Sequence, residues 1–301
     1  MFQAVMNEIK ELKKKKNAIV VAHNYQNPEI QEIADFLGDS LELSRKAQHF
    51  ETDFIVFCGV RFMAESAKIL APEKKIILAN DDAGCPMADM ITADNVKNIR
   101  EKYPDYTIVA YVNTSAAVKS EVDVCCTSSN ALEIVEKIPN DKIYFVPDKN
   151  LGGWIQRQTK KTMIMWPGFC TVHNRMTVED ISRARAEFPE GVVLVHPEAP
   201  LEVLEKADAV LSTGQMVKYA AASEKKIFII GTEQGMIYKL KKDFPDKEFY
   251  TMGRIFTCAN MKKTTLFDVK NALERENNAI ELSESLMKKA RHSLEEMLRL
   301  S

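Results

Sequence analysis

Three stretches of this chain carry the same landmarks at the same spacing, and that repeat limits the fold more than any single motif does. The runs IVVAHNY, TIVAYVNTS and VVLVHPEAP each read as a buried strand ending in polar residues, at His23, Tyr111 and His196. Each is followed 17 residues later by a hydroxyl at the head of a helical run, at Ser40, Ser128 and Thr213. A further strand comes next in each stretch (DFIVFCG, KIYFVPD, KIFIIGT), then a helix, then a last strand (KIILAND, TMIMWPG, EFYTMGR). A cysteine closes each set, and Cys85, Cys170 and Cys258 lie 62, 59 and 62 residues after the first polar landmark. Self-similarity at a fixed period marks a repeated structural unit. Short β-branched runs alternating with helical patterns belong to mostly parallel sheets with helices on their faces.

The expected fold is therefore α/β: three repeated three-layer α/β units of about 86 residues, with small parallel sheets, around a pseudo-threefold axis. The units are placed at 1–86, 87–171 and 172–259, and residues 260–301 are read as C-terminal helices packing back on the assembly. Units this small are viable where they pack on one another. A TIM barrel would use a similar number of strands, but the threefold spacing argues against it.

Bulk properties narrow the function classes. The 301 residues carry 41 basic and 43 acidic side chains, so no charge imbalance points to nucleic acid or to a membrane surface. The run Lys13–Lys16 reads as the solvated end of an amphipathic N-terminal helix. No apolar run reaches the roughly 20 residues that span a bilayer. The N-terminus shows neither a secretory apolar region nor a small-residue cleavage site, so the expected location is cytoplasmic. In a reducing compartment six cysteines serve as core residues, metal ligands or catalysts rather than disulfides.

In open parallel sheets ligands bind at the carboxyl ends of the strands. Cys85, Cys170 and Cys258 all follow such ends, and a threefold axis would bring their loops to one place. The expectation is that they are three ligands of one metal centre, while Cys58, Cys125 and Cys126, inside or beside strands, are core residues. Three thiolates suit zinc or an iron–sulfur cluster. A closed structural zinc site wants a fourth ligand and usually a close cysteine pair, which these three do not form. Three cysteines on a [4Fe–4S] cluster leave one iron open, so an open catalytic site fits the pattern better. His173, three residues after Cys170, is either a fourth ligand or part of the pocket wall.

The strand-end residues His23, Asn24, Tyr25, Tyr111, Asn113, His196 and Glu198 include a general acid–base set. Ser40, Ser128 and Thr213 stand where helix N-caps would stand. Helix N-termini favour anions, so three aimed at one cavity would suit carboxylates or phosphate without a basic patch. Neither a G-x-G-x-x-G nor a P-loop pattern supports a nucleotide site.

The stretches AHNYQNPEIQEIADFLGDS, GCPMAD, AYVNTSAAVKSEVDVCCTSSNA, CTVH, VHPEAP, STGQMVKY, GTEQGMIYKLKKDFP and CANMKKTTL run from about residue 20 to residue 266. In order and spacing they resemble the quinolinate synthase family, the A protein of NAD biosynthesis. The resemblance implies three α/β units around a pseudo-threefold axis and a [4Fe–4S] cluster held here by Cys85, Cys170 and Cys258. It implies a transferase that condenses iminosuccinate with dihydroxyacetone phosphate to quinolinate, with loss of phosphate and water. A functional link to the enzyme that makes iminosuccinate from aspartate follows. The family's substrate-contacting positions carry over to His23, Ser40, Tyr111, Asn113, Ser128, His196, Glu198 and Thr213. Tyr25 matches its acid–base tyrosine, and Tyr25, His196 and Glu198 form the implied catalytic set. Related sequences often have proline after the second cysteine, where this chain has Thr171, and some longer relatives carry extra cysteines near the third ligand. Two other functions use the same plan: a [4Fe–4S] hydro-lyase acting on a small dicarboxylate, and a cluster-based sensor that would not need His23, Tyr25 or Glu198.

Overall fold

The computed structural model describes residues 2–301. It contains three four-stranded sheets, each wholly parallel, with one strand order repeated three times. The first unit runs α1 (Phe2–Lys16), β1 (Ala18–His23), α2 (Pro28–Ile33), β2 (Phe36–Gly38), α3 (Ser40–Ala47), β3 (Phe54–Cys58), α4 (Arg61–Leu70), β4 (Lys75–Leu78). The second runs α5 (Ala93–Lys102), β5 (Thr107–Tyr111), α6 (Ala116–Lys119), β6 (Val124–Cys126), α7 (Ala131–Lys137), β7 (Lys142–Val146), α8 (Lys149–Gln156), β8 (Thr162–Met165). The third runs α9 (Val178–Glu187), β9 (Val192–Val195), α10 (Leu201–Leu204), β10 (Ala209–Val210), α11 (Thr213–Ala222), β11 (Ile227–Gly231), α12 (Gly235–Asp243), β12 (Glu248–Thr251). Two helices follow, α13 (Leu266–Arg275) and α14 (Glu284–Leu300). Among the described residues no helix is long and apolar enough to cross a membrane.

The sheet orders are β2-β1-β3-β4, β6-β5-β7-β8 and β10-β9-β11-β12. The central strands are near-continuous apolar runs because helices cover both faces; all five residues of β3, Phe54–Cys58, are buried. Each unit holds one strand more than the apolar runs suggest. The extra strands, β2, β6 and β10, are two or three residues long, too short for a readable periodicity. The EIQEIADFL run accordingly splits into α2 and β2 rather than forming one helix.

A partly exposed clamp pins the first strand of every unit. Asp35, Asp123 and Asp208 each accept the backbone N–H of a residue 15 earlier, Val20, Ile108 and Val193, at 2.8, 2.7 and 2.7 Å. Each aspartate also meets a cation from the helix before that strand: Lys13, Arg100 and Arg185 at 2.6, 2.9 and 2.8 Å. Lys13 is thus a partner in the fold rather than a freely solvated charge.

The threefold relation is carried by equivalent helix contacts. α4 packs on α6, α8 on α10 and α12 on α2, which closes a ring of the three units. One apolar cluster runs through the first two units and into the third, where Leu194, Met216 and Phe228 join it. The tail continues the repeat before leaving it. Capping boxes at Thr92, Thr177 and Thr265 start α5, α9 and α13, each seven residues after a cysteine of the repeat. α13 then packs against α1. α14 straps the first two units together: Arg291 donates to Leu70 O and Ser293 Oγ to Lys119 O, both at 2.9 Å. Leu294 of α14 is fully buried in the shared cluster. Replacing it with alanine should leave a cavity and cost about 2–5 kcal/mol, read as a lower denaturation midpoint in urea.

Candidate functional site

The loops after β1, β5 and β9 and after β4, β8 and β12 leave the sheets at their carboxyl edges, and the ring of units turns those edges inward. They enclose a cavity of about 70 Å³. His23, Tyr25, Ser40, Tyr111, Asn113, Ser128, His196, Glu198 and Thr213 all line it, and so do Cys85, Cys170 and Cys258. Asn24 stands behind the wall, where its amide donates to Thr213 Oγ1 at 3.0 Å. Cys58, Cys125 and Cys126 are buried in the core, as expected of strand thiols.

The three thiols have matched surroundings. Each cysteine precedes by three residues a short 3₁₀ turn, Ala88–Met90, His173–Arg175 or Met261–Lys263. The backbone N–H groups of the second and third residues after each cysteine lie near its sulfur and favour the thiolate: Met87 and Ala88, Val172 and His173, Asn260 and Met261. Burial pushes all three thiols up, Cys85 to about 12. A thiolate here therefore calls for a positive partner beyond the N–H groups, which is what a metal centre supplies. Matched N–H cradles, one cavity and soft donors fit a metal–thiolate group. They do not fit one zinc ion: Zn–S bonds of about 2.3 Å put ligand sulfurs about 3.8 Å apart. Among the described residues, the one set of three such donors within 4.8 Å of one another is Cys170, His173 and Glu198. The three cysteine sulfurs form no such set.

The Cys170–His173–Glu198 set is explained by hydrogen bonding. His173 Nδ1 lies 2.7 Å from Glu198 Oε2 and 3.2 Å from Cys170 Sγ, and Nε2 lies 2.8 Å from Thr232 Oγ1. Both ring nitrogens of His173 are thus engaged within the pocket wall. Thr232 Oγ1 in turn lies 2.5 Å from Tyr25 Oη. The other oxygen of Glu198 accepts the Tyr111 hydroxyl at 2.6 Å. A continuous chain therefore runs Tyr111–Glu198–His173–Thr232–Tyr25, with residues from all three units. Its tautomer follows from its ends: a carboxylate only accepts, so His173 Nδ1 carries the proton and Nε2 accepts from Thr232.

Burial works to raise the Glu198 carboxyl, but His173, His196 and the bonds from His173 and Tyr111 outweigh it and hold it below the usual carboxylate range. Burial and Glu198 push the Tyr25 and Tyr111 phenols well above their ordinary value. Burial brings His23 and His196 down to about 3, so both rings are neutral near pH 7. His196 stacks on His173 with ring centroids 4.7 Å apart, and His23 sits edge-on to Tyr25 at 4.6 Å.

The hydroxyl landmarks are not the helix caps the spacing predicts. Asp39 caps α3, Asn130 precedes α7 and Ser212 caps α11; Ser40 and Thr213 are the first helical residues, and Ser128 lies ahead of its helix. Asp39 caps as well as Ser40 would and Ser212 better than Thr213, so in both the boundary moves by one. The ends of α3 and α11 are also not free. Asp39 Oδ1 takes the Leu41 and Glu42 N–H groups at 3.0 and 2.9 Å. Its Oδ2 faces α11 across the unit boundary, so close that a Cβ on Gly214 would stand 2.6 Å from it. At α3 and α11, hydroxyl side chains rather than bare helix ends are left to meet a ligand.

Three residues near the site were not among the expected site residues, although they lie within the stretches GTEQGMIYKLKKDFP and CANMKKTTL. Thr232 and Glu233 follow β11, and Lys262 follows the third cysteine. Glu233 is fully buried; it accepts the Cys258 N–H at 3.2 Å and the Gly235 N–H at 2.7 Å, and pairs with Lys262 at 3.1 Å. Lys262 also donates to the carbonyl of Tyr25, which ties the third cysteine's loop to the tyrosine's. The repeat held the signal: β11 ends at the same edge as β9.

Fold and site together describe an α/β enzyme scaffold with a thiol-lined centre and an acid–base chain. The family model for quinolinate synthetase A protein matches residues 7–299. A protein of Caldicellulosiruptor saccharolyticus named quinolinate synthase is 54% identical over 300 residues, covering 99% of this chain and 99% of its own. Proteins of the same name from Dehalococcoides mccartyi and Methanoregula boonei are each 47% identical, with at least 98% of both chains covered. The chain belongs to the quinolinate synthetase A protein family.

The buried neutral histidines set a pH dependence. Their folded value of about 3 lies below the ordinary 6.5, so the unfolded chain binds more protons between those values. Their contribution is fully present above pH 6.5 and is lost as pH falls toward 3. Urea midpoints should therefore drop across that window, and His196→Gln should flatten the slope; an unchanged slope would count against a neutral His196.

Proposed function

We propose that this chain condenses iminosuccinate with dihydroxyacetone phosphate to form quinolinate, releasing phosphate and water, as a step of NAD biosynthesis. The iminosuccinate comes from an enzyme that makes it from aspartate. Cys85, Cys170 and Cys258 hold a [4Fe–4S] cluster. When bound, that group supplies a Lewis acid at an iron without a protein ligand. The observation that carries the reading is the meeting of three equivalently cradled thiols and one acid–base chain in a single cavity of a family member.

The side chains divide the work. Ser40, Ser128, Thr213 and Asn113 offer hydroxyl and amide groups to carboxylates and phosphate. Thr213 accepts from Asn24, which leaves its own O–H free to donate to a ligand. Asn113 Oδ1 is buried without a partner and is available for a ligand donor. Tyr25 is the group that exchanges protons with substrate. Its hydroxyl proton has a path through Thr232 to His173 Nε2, and the charge left on His173 is held by Glu198 at 2.7 Å. Glu198 thus acts through His173 and Tyr111, since both its oxygens are occupied. Neutral His23 and His196 face the same space and hydrogen-bond substrate oxygens without adding charge. The buried wall excludes bulk water, which strengthens each of these bonds.

The test is quinolinate formation by anoxically purified protein given both substrates. Cys170→Ala should lose the cluster's iron and sulfide and all turnover while the chain stays folded by circular dichroism. Thr232→Val breaks the chain between His173 and Tyr25. It should lower kcat by about 10²-fold with iron and sulfide content unchanged. A valine variant with normal kcat would remove the relay from the mechanism. Absence of quinolinate from the wild type would remove the assignment itself.

A further inference from the structure

A lysine is buried behind the cavity wall, and none of the chemistry above uses it. Lys119, the last residue of α6, has no solvent exposure. Burying an ammonium is costly unless its donors are satisfied, and the partners of this one are backbone carbonyls. Its Nζ donates to Val112 O at 2.8 Å and to Thr114 O. Those carbonyls stand on either side of Asn113. The Thr114 N–H also folds back onto Val112 O at 2.8 Å, so the chain makes a tight turn with Asn113 at its apex. One amino group closes both ends of that turn. A neutral amine would still have two N–H donors, so the clamp does not depend on the charge.

The turn points at the site. Asn113 lines the cavity, and its Oδ1 is buried with no partner. Phe62, on the same wall, lies with its ring centroid 5.5 Å from the Lys119 nitrogen. Lys119 is itself held from outside: Ser293 of α14 donates to its carbonyl at 2.9 Å, and Glu65 caps the start of α6 by accepting the Ala116 N–H at 2.8 Å. Among the described residues that line the cavity there is no lysine or arginine. Anion recognition there depends on where neutral groups such as the Asn113 amide are aimed.

We infer that Lys119 is a positioning residue for ligand binding, acting through Asn113: it locks the turn that presents the amide to the cavity. The inference rests on the proposed quinolinate chemistry for its ligand. Its test is a double-mutant cycle between Lys119→Met and Asn113→Ala in the cluster-loaded protein, with quinolinate binding read by calorimetry and kcat and KM read in turnover. Alone, Lys119→Met should weaken quinolinate binding about tenfold and raise KM more than it lowers kcat, with iron and sulfide content unchanged. In the Asn113→Ala background the same substitution should change binding by less than about twofold, because the group it positions is gone.

Equal losses in both backgrounds would make Lys119 a general packing residue and overturn the inference; so would wild-type binding by the single variant. If Lys119→Met does not fold, Lys119→Gln, which keeps two N–H donors on a shorter arm, enters the same cycle. Failure of both to fold would assign the lysine to the core alone and overturn the inference. Wild-type protein that neither makes nor binds quinolinate would fail the functional proposal. Wild-type protein that does both, beside a Lys119 variant that binds equally well, would fail this inference only.

Discussion

The structure depends on one constraint of parallel sheets: every strand delivers its carboxyl end to the same edge. Loops that carry chemistry therefore leave each unit on one side. Three such units in a ring, joined by the equivalent pairs α4–α6, α8–α10 and α12–α2, turn those sides toward a common centre. The aspartate clamps at Asp35, Asp123 and Asp208 fix the first strand of each sheet against the strand beside it. Register matters here, because a one-residue slip would send every side chain of that strand to the opposite face. A slip of β5 would turn Tyr111 away from Glu198, its partner at 2.6 Å across the unit boundary.

Convergence creates an electrostatic problem and the site is built around it. Cysteines, histidines, tyrosines and carboxylates meet where water is largely excluded, and each charged form there is penalised. The thiols are met by paired N–H groups from their own 3₁₀ turns. Glu198 keeps its charge because His173 and Tyr111 donate to it, and Glu233 is answered by Lys262 and two backbone N–H groups. His23 and His196 stay neutral. Two of the links, Tyr111 to Glu198 and Tyr25 to Thr232, cross unit boundaries, so the site is complete only when the units dock.

Much of this could be read from the chain. The cysteine spacing and the 17-residue interval from strand end to hydroxyl place the same side chains at one sheet edge in each unit. What escaped reading did so for physical reasons. β2, β6 and β10 are too short to show a period. Asp39 and Ser212 displaced Ser40 and Thr213 as caps because good capping residues stood next to one another and only backbone geometry decides between them. Thr232 and Lys119 looked like an ordinary strand-end threonine and an ordinary helix lysine. Their importance lies in contacts 207 residues away, from Thr232 to Tyr25, and in complete burial, neither of which a local pattern encodes.

By itself the sequence determined the repeat, the α/β class, the three cysteines as one set and the family resemblance. Those follow from local periodicity and spacing, which the chain carries in one dimension. Tertiary structure alone decided that the three cysteine sulfurs form no set within 4.8 Å and that His173 bridges Glu198 and Thr232. It alone decided that the ends of α3 and α11 are occupied. Such facts are distances and hydrogen-bond valences between residues of different units, and they exist only once the three sheets have closed on one another.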